Sequence, residues 1–314
     1  MLRYVLRRLG FLVLTLILTS MIIFAMTQLL PGDTARVILG REAGEGALEA
    51  LREELGLNDP LPLQYGNWLI HFFTGDWGVS FSTRSAILPL LMGRLRNSLM
   101  LTVVILFMSI PFAILLGLSA GLREGKLLDN LISVGSLSVV GLPEFVSGLV
   151  LIQIFAFGLG WFPANSSIRI GSSFLEALPM LILPALTATL VLLAYVARLT
   201  RAGVIEELKQ PYVRTADLKG LPRRTVILKH VLRNALTPTI TVIAISFGWM
   251  ISGLIVVENV FNYPGLGRML LFAIERRDLP LLQGVTMLTV VGFALANLAA
   301  DLIYATLTPR IRLS

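Results

Sequence analysis

Cysteine is absent from the chain, which excludes disulfides, thiolate catalysis and cysteine-ligated zinc outright. Histidine is nearly absent too, and His71 and His230 are too few for most metal sites. Charge is scarce: 14% of the 314 residues are charged, where an ordinary soluble domain carries about a quarter. What stands in its place is apolar, at 55% hydrophobic residues and a mean hydropathy of +0.81. A soluble fold of this composition would expose a mostly apolar surface and aggregate, so a soluble globular enzyme is excluded. Disorder is excluded as well, because it needs few apolar residues and dense charge. The class that remains is an all-α polytopic membrane protein.

Apolar runs of about 20 residues mark spanning helices, and six are expected: Leu9–Leu30, Ser98–Leu122, Leu131–Phe157, Pro179–Ala197, Ile240–Val257 and Gln283–Thr306. Arg3, Arg7 and Arg8 precede the first, as in a signal peptide. Its apolar stretch is too long for a signal core, however, and no Ala-x-Ala site follows, so it reads as an uncleaved span. Spans three to six are rich in small residues that let helices approach closely in lipid. Gly141 and Gly148, seven apart, are expected to share one helix face.

The net charge of +7 is concentrated. With the N-terminus inside, the segments 1–8, 123–130, 198–239 and 307–314 face the cytoplasm and hold sixteen Lys/Arg against five acidic residues. The opposite segments hold ten basic and twelve acidic residues. Lys/Arg excess on the inner side sets orientation, so both termini are expected in the cytoplasm. Residues 1–30 form a first unit, 31–97 an outer segment with a helix over Glu49–Leu55, and 94–306 the transmembrane domain with its inner loop 198–239.

That inner loop is the most informative stretch. Pro211 suits the first turn of a helix and Gly220 the position just past its end, predicting a short helix over Tyr212–Lys219. A helix of two turns needs something to pack against. Ala216 and Gly220, four apart, would give it a smooth face for another backbone, flanked by Arg214 and Lys219. Pro222 opens a second helix with an apolar stripe at Leu228, Val231, Leu232 and Ala235, and Pro238 punctuates the return into the membrane. A loop lying on anionic lipid headgroups accounts for the charge, but not for this punctuation.

The segment Tyr212–Pro238, with YVRTADLKG followed by LKHVLRNALTP, resembles the cytoplasmic coupling motif of binding-protein-dependent ABC importer permeases, in its dipeptide/oligopeptide/nickel form. Ala216 and Gly220 match that motif's second Ala and its Gly, while Arg214 and Thr215 replace its Glu and first Ala. Asp217 and Leu218 depart from the subfamily pattern. Further stretches are similar in order and spacing: Leu30-Pro31-Gly32-Asp33, Leu55–Pro60, Gly75–Ser80, Glu258–Arg268, Arg277-Asp278-Leu279-Pro280, and Asp301, Tyr304, Pro309 and Arg310, with Thr308 where Asp is usual.

The resemblance implies a type I importer permease fold of six spans, a subunit without its own ATPase site. Tyr212, Val213, Arg214, Thr215, Ala216, Lys219 and Gly220 would couple it to an ATP-binding subunit. It implies a second homologous permease, two ATP-binding subunits that hold ATP and magnesium, and an external solute-binding protein. Glu258, Phe261, Pro264 and Gly265 would face that binding protein. Membrane lipid is the remaining partner and nucleic acid is not expected. The implied cargo is a peptide-like solute, with nickel or another metal chelate as the variant, in a bacterial inner membrane.

Two intramembrane charges stand out. Glu144 follows Pro143 and either lines the translocation path or caps a freed backbone N–H; Asp301 lies toward the cytoplasmic end and is expected to pair with a basic residue. A secondary transporter using Glu144 and Asp301 as proton-coupling groups is the competing class. Gly117-Leu118-Ser119-Ala120-Gly121 matches a hydrolase elbow, but that motif has meaning only on a strand–turn–helix; it reads equally as a helix-contact pattern. Gly125-Lys126 fails as a phosphate loop because Leu127 follows it. His71 sits among Trp68, Phe72 and Phe73, and His230 beside Arg233.

Overall fold

A computed structural model describes residues 2–29, 36, 39, 42–54, 56–169, 172–251 and 254–307. The stretches 30–33 and 308–310 of the sequence motifs, and Leu55, lie outside these. The described chain is helical, with one isolated bridge between Val79 and Ala86. In order, the helices are α1 (Leu2–Leu29), α2 (Glu45–Glu54), α3 (Leu61–Thr74), α4 (Ile87–Gly121), α5 (Leu127–Gly141), α6 (Glu144–Gly158), α7 (Phe174–Leu208), α8 (Pro211–Leu218), α9 (Arg223–Ile251), α10 (Ile255–Val260), α11 (Leu266–Glu275) and α12 (Leu279–Leu307). Five of them are long and apolar enough to cross a membrane, and α5 with α6 adds a sixth if counted as one bent span.

The boundaries differ from the sequence expectation for physical reasons. α7 starts at Phe174 rather than near Pro179 because Ser173 and Glu176 form a capping box, with Ser173 N–H donating to Glu176 Oε2 at 2.9 Å. Pro179 and Pro184 ride inside that helix. α4 likewise starts at Ile87, extending through Arg94, Arg96 and Asn97 beyond its apolar run. Pro238 does not break α9 but lies within it. The expected span Ile240–Val257 in fact ends at Ile251, and α10 is a separate helix. The segment 198–239 is consequently little loop: the ends of α7 and α9 occupy most of it.

The third expected span is broken. α5 and α6 meet at 103° across Leu142 and Pro143. Gly141 and Gly148 therefore do not share a face: no atom approaches the Cβ position of Gly141, whereas that of Gly148 lies 3.2 Å from Phe261 and 3.5 Å from Thr187.

The core is built on α4 against α7, joined by α6, α9 and the Phe261–Tyr263 turn. Glycine permits the closest approach. A Cβ on Gly117 would lie 2.5 Å from Ala197 O, and one on Gly121 2.8 Å from Val204. The G-x-S-x-G pattern is thus a helix-contact surface inside an unbroken helix. These pairs, with Thr189 donating to Ile105 O at 3.5 Å, advance together along the chain, so α4 and α7 run parallel. α9 is antiparallel to α7, with Gly203 on Ala235 and Thr200 on Thr239. α12 is antiparallel to α9 through Gly248 on Ala296 and Gly292 on Ile251. α1 is antiparallel to α12: Arg8 pairs with Asp301 at 2.7 Å, and Gln283 donates to Thr27 at 2.8 Å.

Candidate functional site

α8 lies at the end of the bundle where α7 stops and α9 starts. Pro211 occupies its first turn, where a missing N–H leaves nothing unpaired. Gly220 closes it at φ +71°, a left-handed conformation that glycine adopts without strain. There Gly220 N–H donates to Asp217 O at 3.0 Å and Leu221 N–H to Ala216 O at 3.3 Å, satisfying the last carbonyls. Val213 and Ala216 are buried against Val204 of α7 and Val226, Val231 and Ala235 of α9.

Tyr212 ties the three helices together. Its hydroxyl donates to the Glu207 carboxylate at the end of α7 and accepts from Asn234 Nδ2 of α9 at 3.3 Å. Burial, and then the neighbouring Glu207 carboxylate, push this phenol above its ordinary range, so it remains a protonated donor. α8 is therefore clamped on its inner side. Its outer side is Arg214, Thr215, Asp217, Leu218, Lys219 and Gly220, with Leu218 80% exposed. Asp217 accepts from Arg223 at 3.2 Å.

Two expectations for this segment are corrected. Ala216 faces its own chain, not outward, and Gly220 borders open space with no atom within 4 Å of a Cβ; its role is the turn. The stripe on the second helix also shifts. Val226–Val231 is a π-helical stretch, in which residues five apart stack through i→i+5 hydrogen bonds. Val226 and Val231 consequently face inward together while Leu228 is 47% exposed. His230 falls in that stretch and is half-buried.

Close by, Arg201 of α7 grips Asp129 at the start of α5. Both Nε and Nη2 donate, the latter at 2.7 Å, and Gly125 N–H at 2.9 Å and the Ser133 hydroxyl at 3.3 Å complete the carboxylate's partners. Asp129 is buried and Arg201 half-buried. Nothing in the local sequence marks this pair; Asp129 reads there only as one more loop charge.

At the opposite end, Glu258 is fully buried. Its carboxylate accepts from Ser98 Oγ at 2.8 Å and Arg268 N–H at 3.0 Å, and from Gly267 N–H, while Ser98 in turn accepts from Leu266 N–H at 2.9 Å. It thus closes the N-terminus of α11, where free N–H groups favour an anion. A Cβ on Gly265 would sit 2.1 Å from the Glu258 carboxylate, which explains the glycine. Asn97 donates to Pro264 O at 2.9 Å, and Tyr263 donates to Asn97 O at 2.7 Å. Burial is the main cause that raises the Glu258 carboxyl above its ordinary range. Glu258, Phe261 and Gly265, expected to face a binding protein, are buried in this chain, and only Pro264 is partly exposed. They knot the start of α4 to α10 and α11.

A second knot lies at the same end, and its sequence signal is local. Asp278 stands just before the apolar run of α12, the place of an N-cap. Its carboxylate accepts from Leu281 N–H at 3.3 Å, Ser80 Oγ at 2.6 Å and Ser82 N–H at 2.9 Å, fastening the Gly75–Ser80 stretch to α12. His71, on α3, is exposed with Asp76 3.9 Å away.

Asp301 pairs with Arg8 at 2.7 Å, as the sequence expectation had it. Glu144 is at the first position of α6 and makes no capping hydrogen bond. Pro143 breaks the helix, but Glu144 does not cap it.

The family profile described as binding-protein-dependent transport system inner membrane component matches residues 113–313, and its N-terminal companion matches 1–102. The chain is 36% identical over 312 residues to the glutathione transport system permease protein GsiC of Salmonella typhimurium, covering 99% of both chains. It is 37% identical, over the same share of each, to the proteins of that name from Escherichia coli and Shigella dysenteriae. With these matches along its whole length, the chain belongs to the binding-protein-dependent transport-system inner-membrane components, the permease subunits of bacterial ABC importers, and is a multi-pass transport subunit of the inner membrane.

Proposed function

We propose that this chain forms half of the translocation pathway of an ATP-driven importer for a peptide-like solute, and that α8 is the element through which ATP hydrolysis drives it. A second, homologous permease completes the pathway, two ATP-binding subunits hold ATP and magnesium, and an external binding protein delivers the cargo. The chain itself holds no ATPase site. The observation that carries this reading is the build of α8: its inner side is clamped to α7 and α9 by Val213, Ala216 and Tyr212, while Leu218 and its neighbours project outward uncovered. A helix so held transmits a push to two long helices together, which is what a two-state transporter biased by a ligand requires. The relatives that carry glutathione in their name, a tripeptide, support a peptide-like cargo.

The test is co-purification of the tagged chain in mild detergent. The wild type brings down a second permease and an ATPase. Leu218→Glu, at an 80% exposed position, keeps the permease pair and loses the ATPase at least about tenfold, the effect of some 1.4 kcal/mol. Undiminished ATPase recovery with Leu218→Glu overturns α8 as the docking element.

A further inference from the structure

Resting on the importer and cargo reading above, we propose that Glu144 is the group by which this chain's wall of the pathway receives the ammonium of its cargo. Glu144 opens α6 one turn before a residue packed against the middle of α7. Gly148, one turn further along α6, lies 3.5 Å from Thr187 of α7. Thr187 is thirteen residues from the start of α7 and fourteen from Arg201, about 20 Å from each at the rise of an α-helix. A lone charge at such depth is unfavourable against lipid and marks a cavity or a partner.

Two other acids of the helical bundle are answered within the chain, the buried Asp129 by Arg201 and the half-buried Asp301 by Arg8. Glu144 is answered by nothing among the described residues: it makes no capping bond, no ion pair, and is left half-exposed at the bend. Its counter-charge therefore comes from outside the chain.

The backbone around it points the same way. The 103° break leaves Gly141, Leu142 and Pro143 exposed, with Phe145 beyond them 48% exposed. Interrupted helix at membrane depth is tolerated only where other protein covers it or where it lines a water-filled cavity. An uncovered break and an unanswered carboxylate at one corner are both satisfied by a wetted pathway, and the cation that visits a peptide pathway is the cargo's ammonium. A short peptide with a free amino terminus presents that group; an N-acetylated one does not.

The test uses the whole importer, with its binding protein, reconstituted in vesicles, and two probes, alanyl-alanine and N-acetyl-alanyl-alanine, each saturating the binding protein. Glu144→Gln is expected to slow uptake of alanyl-alanine about tenfold, the scale of a lost charge-assisted hydrogen bond, and to leave the acetylated probe within about twofold. Glu144→Asp restores most of the alanyl-alanine rate. Equal loss for both probes means that Glu144 answers a fixed cation on a partner subunit and overturns the proposal, as does unchanged uptake of both. A wild-type complex that hydrolyses ATP but moves neither probe overturns the peptide-like cargo itself, and does so before any substitution is made.

Discussion

Glu258 shows how one side chain organises the end of the molecule opposite α8. Three donors converge on its carboxylate, and glycine at 265 leaves the room it needs. Burial nonetheless outweighs those donors and keeps its carboxyl above the ordinary range. The folded chain therefore holds this proton more tightly than the unfolded chain does. The linked stability is fully present below the unfolded carboxyl's range and is lost as pH rises through the raised folded value. Thermal unfolding of the detergent-solubilised chain should accordingly show a midpoint that falls with rising pH relative to Glu258→Gln, whose amide cannot ionise. A constant offset between the two proteins across that range would contradict it. Glu258, Phe261, Pro264 and Gly265 were legible in the sequence as a group with a job, but not as a buried one. A motif reports that residues matter together; it carries no sign of which way they face, and a Glu beside an apolar run reads as exposed until Ser98, 160 residues away, is folded onto it.

At the scale of elements, the same limit separates what was legible from what was not. Apolar runs gave the long helices, and Pro211 with Gly220 gave α8 to within one residue, because both signals are local. The π-helical turn at Val226–Val231, the capping box that lengthens α7 and the 103° corner were not legible, because each depends on what the helix packs against. The pairing of Asp129 with Arg201 belongs here too, since it fixes the start of α5 to α7 two turns above the segment that leads to α8. Removing one member of a buried pair leaves an uncompensated charge. Arg201 keeps some solvent contact, so Arg201→Ala is expected to destabilise by about 3 kcal/mol, the low end for such a break. The double variant Arg201→Met with Asp129→Leu should recover most of that loss, because two apolar groups need no partner. Unfolding midpoints in denaturant for Arg201→Met, Asp129→Leu and their combination give the coupling directly. Additive single effects would mean that the pair is not what holds α5 in place.

For the whole molecule, direction along the chain decides how often it crosses the membrane. The bent pair α5–α6 is a crossing only if α4 and α7, on either side of it, run the same way. They do, because Gly117 and Gly121 meet Ala197 and Val204 in ascending order. A re-entrant corner would have returned the chain to its starting side and made α7 antiparallel to α4. With α9 antiparallel to α7 and α12 to α9, the alternation fits an arrangement of six crossings and brings the end of α12 to the side of α8, where Arg8 of α1 meets Asp301. The sixteen basic residues of segments 1–8, 123–130, 198–239 and 307–314 predict that this side faces the cytoplasm. The absence of cysteine makes the arrangement testable without removing any native thiol. Single cysteines at the exposed positions Asp76 and Glu275 should react with a membrane-impermeant maleimide added to right-side-out vesicles, and cysteines at Lys126 and Lys219 should react only after the vesicles are opened. Labelling of Lys126→Cys from outside would invert the assignment of α5, and a Glu275→Cys that stays protected until lysis would reduce the crossings to five, with α5–α6 a loop that enters and leaves by the same face.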